Sequence, residues 1–99
     1  MTRCLDAEEL ARQLDRLPGW SGDTTAITRT YAFPEFLALV RGVDELALEA
    51  EGMNHHPDLD IRWRSLHVRL STHDAGGVTQ LDIELAHRIH EIAAALGAT

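Results

Sequence analysis

The stretch Leu59-Asp60-Ile61-Arg62-Trp63-Arg64-Ser65-Leu66-His67-Val68-Arg69-Leu70-Ser71-Thr72 decides the fold of this chain. Leu59, Ile61 and Trp63 alternate with Asp60, Arg62 and Arg64. This period of two puts apolar side chains on one face of a half-buried strand. Beyond Ser65, read as the turn, Leu66, Val68 and Leu70 alternate with His67, Arg69 and Ser71. Two alternating runs with so short a connection pair antiparallel, because a parallel crossover needs a dozen or more residues.

Upstream the period changes. Phe36, Leu39, Val40, Val43, Leu46, Ala47 and Ala50 follow helical spacing, with Pro34 suited to a first helical position and Gly52 to the residue after the helix. Before that, residues 24–33 read as a strand with Ile27, Tyr31 and Phe33 on one parity, behind a turn at Trp20-Ser21-Gly22-Asp23. At the N-terminal end, Asp6 and Glu9 have the spacing of a capping box. Leu10, Leu14 and Leu17 place a helix over residues 7–16, stopped by Pro18-Gly19. Downstream, Asp74-Ala75-Gly76-Gly77 reads as a loop. Thr79 caps a last helix with Asp82 three residues on, and Leu85, Ile89, Ile92 and Leu96 form its apolar stripe.

The order helix, strand, helix, two strands, helix predicts one α+β domain over residues 1–99. An antiparallel sheet of about four strands carries helices packed on one face. Of 99 residues 44% are hydrophobic and 25% charged, ordinary for a globular protein. The net charge is −7 and all nine basic residues are scattered arginines, which argues against a nucleic-acid partner. No apolar run approaches the roughly 20 residues of a membrane span. The first residues lack a signal-peptide pattern, and Cys4 is the sole cysteine. The expectation is a cytoplasmic protein that does not enter membranes.

Residues 51–82 hold the chemistry: Glu51, His55-His56-Pro57, Trp63, His73, Asp74 and Asp82. Imidazole exchanges protons near neutrality. Pro57 fixes its own φ and holds His56 extended, so neighbouring rings address different directions. The hairpin brings the start of its first strand beside the end of its second, and so places His73 near the His pair. Each histidine read alone is as well explained by a solvated loop or strand end. Zinc is the other alternative, but adjacent histidines rarely aim both nitrogens at one ion, and no HExxH helix is present. His67 reads as an exposed strand residue, and His87 and His90 as solvated or as lying at an oligomer contact. Asp82 reads first as a helix N-terminal carboxylate, and Trp63 as core or pocket wall.

With three residues between Glu51 and His55, five between Pro57 and Trp63, nine before His73 and eight before Asp82, the chain resembles the pterin-4a-carbinolamine dehydratase family. That family is also known as a dimerisation cofactor of a homeodomain transcription factor. Ser71-Thr72-His73-Asp74-Ala75-Gly76-Gly77 resembles the family's loop, whereas Leu59 stands where relatives often carry tryptophan. The resemblance implies a hydro-lyase that dehydrates 4a-hydroxy-tetrahydropterin to quinonoid dihydropterin, recycling a tetrahydrobiopterin-type cofactor, with no metal or organic cofactor of its own.

It further implies that His55 and His73 transfer protons while His56 binds and orients the pterin. Glu51 would fix a histidine tautomer, Thr72, Asp74 and Ala75 would line the pocket with Pro57 and Trp63, and Asp82 would orient. A homodimer or homotetramer is expected. A second reading, a module that dimerises other proteins, needs a spare apolar helix face, for which Ile83, Ala86 and Ala93 are the candidates. A third is an α+β domain with incidental histidines.

Overall fold

The computed structural model describes residues 2–99. Its elements are α1 (Ala7–Leu14), β1 (Ser21–Gly22), β2 (Ile27–Ala32), α2 (Phe36–Met53), β3 (Asp58–Arg62), β4 (Ser65–Leu70), a 3-10 turn at His73–Ala75, and α3 (Gln80–Ala95). The strands form one antiparallel sheet in the order β1-β2-β4-β3. The α+β architecture is the one read from the sequence.

The alternation on β4 is realised in full: Leu66, Val68 and Leu70 are buried, while His67 and Arg69 face out. Ile27, Tyr31 and Phe33 are buried on the same side. There they meet Leu39 and Leu46 of α2 and Ile83, Leu85 and Ile89 of α3 in one core. Both capping boxes form. Asp6 accepts from Glu9 N and Thr79 from Leu81 N, while the Glu9 and Asp82 side chains return to the cap backbones. Among the described residues no helix is long and apolar enough to cross a membrane.

Several local expectations are corrected. Ser21–Gly22 pairs with Ile27 and Thr28 as a short strand rather than a turn. The turn is displaced to residues 23–26, where the Asp23 carboxylate accepts from Thr25 N at 2.8 Å. Pro34 precedes the helix, whose N-cap is Glu35. Gly52 lies inside α2, and the chain reverses at Asn54, which takes the left-handed conformation (φ 50°).

The buried stripe of α2 is Ala38, Leu39, Gly42, Leu46 and Ala50, so Phe36 and Ala47 point outward. Ser65 opens β4, because Arg62 already pairs with Ser65 and the two-residue turn is Trp63-Arg64. Leu59 and Ile61 sit opposite Val68 and Leu66, on the core side of the sheet. β3 is nevertheless the edge strand, and every residue on it stays exposed. Ile83, Ala86 and Ala93 belong to the core, so they are not the spare face that the second reading requires.

Candidate active site

Two chain reversals build the site. At the first, the left-handed Asn54 ends α2 and His55 N–H returns to the Ala50 carbonyl at 3.0 Å. This turns the His55 ring into the protein, where it is 8% exposed. The extended geometry before Pro57 then sends the next ring the opposite way, and His56 is exposed. At the second reversal, Thr72 and Gly77 pair as an isolated bridge, with Thr72 N–H bonded to the Gly77 carbonyl at 3.0 Å. His73 sits on the turn between them. Gly77 is required there, because a Cβ would lie 2.5 Å from the Thr24 carbonyl oxygen.

Strand pairing brings the reversals together. Asp58 opens β3 opposite Arg69 near the end of β4, so the chain after His56 runs beside the chain leading to His73. Between them is a cavity of about 530 Å³ lined by Thr25, His56, Asp58, Arg69, Ser71, His73 and Gly76. Its volume is in the range of small-molecule sites. A second depression of about 410 Å³ lies on the outer sheet face, lined by Thr28, Thr30, Asp60, His67 and neighbours. It holds a single imidazole, which is bonded to Thr30 at 2.7 Å. Acid/base chemistry on one ligand requires two groups within reach of it, and the first cavity supplies them.

Each histidine of the pair has its own carboxylate. His56 Nε2 is 2.6 Å from Glu51 Oε1, one helical turn back on α2, and both side chains are exposed. His55 Nε2 is 2.5 Å from Asp82 Oδ1, and that carboxylate is fully buried at the N-terminal turn of α3. A carboxylate at Nε2 requires that nitrogen to carry the proton, so Glu51 and Asp82 set the tautomers of the two rings. The other oxygen of Asp82 accepts from Thr79 N at 2.9 Å and from Thr72 Oγ1 at 2.8 Å.

Of the residues singled out from the sequence, His56 and His73 share a cavity, and Glu51 and Asp82 each bond a histidine ring. His55 is not among the residues lining that cavity, since its ring is committed to Asp82. Thr72, Asp74 and Ala75 line a separate cavity of about 300 Å³ with Thr2 and Leu81, and His73 is not part of its lining.

Trp63 is not a core residue. It occupies the hairpin turn with φ 51°, is 73% exposed, and lies at the far end of β3 from His56. Thr25, Asp58 and Arg69 line the cavity without having been selected from sequence. Asp58 and Arg69 were legible as a cross-strand pair once the hairpin register was set, but nothing local to Thr25 marks it, since it arrives through β2–β4 pairing. Among the described residues no group of three or more His, Cys, Asp or Glu side chains could hold a metal ion.

This α+β scaffold with a histidine-lined cavity at one sheet end has close relatives. The family model described as Pterin 4 alpha carbinolamine dehydratase matches residues 3–92, and the chain belongs to that family. A provisionally named pterin-4-alpha-carbinolamine dehydratase of Nocardia farcinica is 46% identical over 92 residues, covering 93% of this chain and 97% of the relative. One of Sulfurisphaera tokodaii is 40% identical over 88 residues, covering 89% and 95%. A crystal structure of a transcriptional coactivator/pterin dehydratase from Brucella melitensis superposes with a TM-score of 0.87 at 35% identity, covering 90% of this chain and 97% of that one. A pterin dehydratase-like RuBisCO assembly factor of the alpha-carboxysome shares the fold at 19% identity, with a TM-score of 0.62 over 75% of this chain and 86% of that one.

Proposed function

We propose that this protein is a hydro-lyase that dehydrates a 4a-hydroxy-tetrahydropterin to the quinonoid dihydropterin, by proton transfer between substrate and the cavity histidines. The observation that carries the reading is the placement of His56 and His73 on one cavity of about 530 Å³, in a chain belonging to the dehydratase family. Loss of water from a carbinolamine breaks the C4a–O bond, with a proton delivered to the departing hydroxyl. A second proton leaves the adjacent ring nitrogen as the C=N bond forms. Two imidazoles on one pocket perform both transfers, one as acid and one as base, and each such group is worth about 10²–10⁴-fold.

His56 and His73 are the groups that touch substrate in this reading. The resemblance placed His55 in that role, but its ring is buried on Asp82, so here it holds the segment in place. Ser71 and the Asp58–Arg69 pair (3.4 Å) supply polar contacts at the cavity wall. Such an enzyme would return a spent tetrahydropterin to a redox-recycling route. It would function as a homo-oligomer, since Leu37, Leu48 and Trp63 are 61%, 76% and 73% exposed in one chain.

The test is 4a-carbinolamine turnover measured against the uncatalysed dehydration, for the parent, His56→Ala and His73→Ala. Acceleration by the parent, with a loss of about 10²-fold or more in each variant, supports the reading. A parent no faster than background, or two variants as fast as the parent, overturns it.

A further inference from the structure

Behind the cavity, one buried carboxylate touches both histidine-bearing segments. Asp82, fully buried, faces His55 Nε2 with Oδ1 and accepts the Thr72 hydroxyl at 2.8 Å with Oδ2. His55 immediately precedes His56, and Thr72 immediately precedes His73. Each cavity imidazole is thus one residue away from a bond to a different oxygen of the same carboxylate.

The hydrogen-bond directions in this cluster have one consistent solution. Asp82 Oδ2 accepts from both Thr79 N and Thr72 Oγ1. The Thr72 proton is therefore spent, and the 2.7 Å contact between Thr72 Oγ1 and Thr79 Oγ1 runs from Thr79 to Thr72. Thr79 Oγ1 in turn accepts from Leu81 N at 3.2 Å. Every proton in the chain is used once, and no buried side-chain polar atom among the described residues is left unpartnered. Removing the Thr72 hydroxyl would strand the Thr79 proton and take one donor from Asp82. The turn's own backbone bonds, from the Ala75 and Gly76 amides to the Thr72 carbonyl, would remain.

We infer that Thr72 and Asp82 are positioning residues, a hydroxyl–carboxylate clamp that sets the separation of His56 and His73 across the cavity. The clamp rests on the dehydratase reading for its effect on rate, but not for its existence. Thr72 does not line the His56/His73 cavity, so its loss should affect the placement of the acid and base and leave substrate binding alone. Misplacement of reacting groups by about 1 Å costs about 10²-fold.

The experiment compares Thr72→Val, which keeps the shape, with Thr72→Ser, which keeps the hydroxyl. Thr72→Val is expected to lower kcat about 10- to 100-fold with KM changed less than about twofold, and Thr72→Ser to retain parent kcat within about twofold. A cycle with His55→Gln is expected to be non-additive, the double variant losing less than the product of the single losses, because both changes cut bonds to Asp82. An unchanged kcat in Thr72→Val, a loss confined to KM, or strictly additive losses would overturn the inference.

The second arm is proton and nitrogen-15 NMR of the unliganded parent, which requires no variant to fold. It should show His55 protonated at Nε2 and a slowly exchanging Thr72 hydroxyl proton. An unprotonated Nε2 or a freely exchanging hydroxyl overturns the clamp. If the parent lacks dehydratase activity, the function proposed above fails, and the NMR result still decides the clamp.

Discussion

Glu51 and Asp82 each bind a histidine Nε2, at 2.6 and 2.5 Å, yet the two contacts differ in energetic weight. Glu51 is 75% exposed and its pair is screened by water, whereas Asp82 has no exposed surface and holds two further partners, Thr72 and Thr79, besides His55. Exposed pairs contribute about 0–1 kcal/mol, while stripping one partner from a buried set costs about 3–5 kcal/mol. Asp82→Ala is therefore expected to lose about 3–5 kcal/mol of unfolding free energy in urea titration and Glu51→Ala under about 1 kcal/mol. Comparable losses in the two would contradict this placement.

His90 gives a pH prediction. Burial, then the neighbouring Arg29 cation, then His87, push its imidazole below the ordinary histidine range. Its Nδ1 lies 3.0 Å from the Tyr31 hydroxyl and 3.2 Å from Arg29. A base with a lowered folded-state pKa is protonated first in the unfolded chain. Its stabilising contribution is thus complete above about pH 6.5, declines as pH falls toward the folded value, and levels off below it. Denaturation midpoints across pH 5–8 should show this decline in the parent and a smaller one in His90→Asn. Of these residue-level features, the helix-capping role of Asp82 was legible in the sequence because it is local. Its bond to His55, 27 residues away, was not.

At the scale of elements, helices α1 and α3 were legible because their caps are short-range motifs. The ends of α2 were misread for a physical reason. Glycine favours the residue after a helix, but asparagine also tolerates the left-handed conformation, and here Asn54 takes it, leaving Gly52 helical. A Cβ on Gly52 meets nothing within 4 Å, so Gly52→Ala should raise stability by roughly 0.5–1 kcal/mol, read from thermal melts. Gly42 lies ten residues earlier on the buried face, where a Cβ would stand 3.2 Å from the Phe33 ring and 3.4 Å from Leu96. Gly42→Ala should lower the melting temperature, since overpacking opposes the propensity gain.

Helix α1 is tied to the preceding segment by Arg3 and Glu9. Hydrogen bonding to Arg3, then to the Asp6 backbone, holds the Glu9 carboxyl down at about 2. A lowered acid stabilises above its unfolded pKa of 4.5 and loses that contribution as pH falls toward about 2. The melting temperature of Glu9→Gln should converge with that of the parent over this window, and the difference should shrink in high salt.

At the scale of the molecule, the Cα radius of gyration of 12.9 Å matches the roughly 13 Å of a compact chain this size. Even so, the surface retains large apolar groups: Leu59 and Ile61 on edge strand β3, and Phe36, Leu37 and Leu48 on α2. Sedimentation velocity is expected to show a species larger than the 11.0 kDa chain, and Leu48→Glu or Ile61→Lys to shift the distribution toward the monomer. A parent that sediments as a monomer at micromolar concentration would refute self-association.

The antiparallel hairpin, the three helices, both capping boxes and the histidine-rich segment were determined by the sequence alone, because periodicity and capping act over a few residues. Only the tertiary structure decided the strand order β1-β2-β4-β3, which brings Thr25 to the cavity. It also decided the edge position that exposes Leu59, and the inward turn that gives His55 to Asp82 while leaving His56 with His73. Those outcomes depend on which surfaces meet across long stretches of chain, and packing of the whole core, rather than any local pattern, selects among the arrangements that local preference allows.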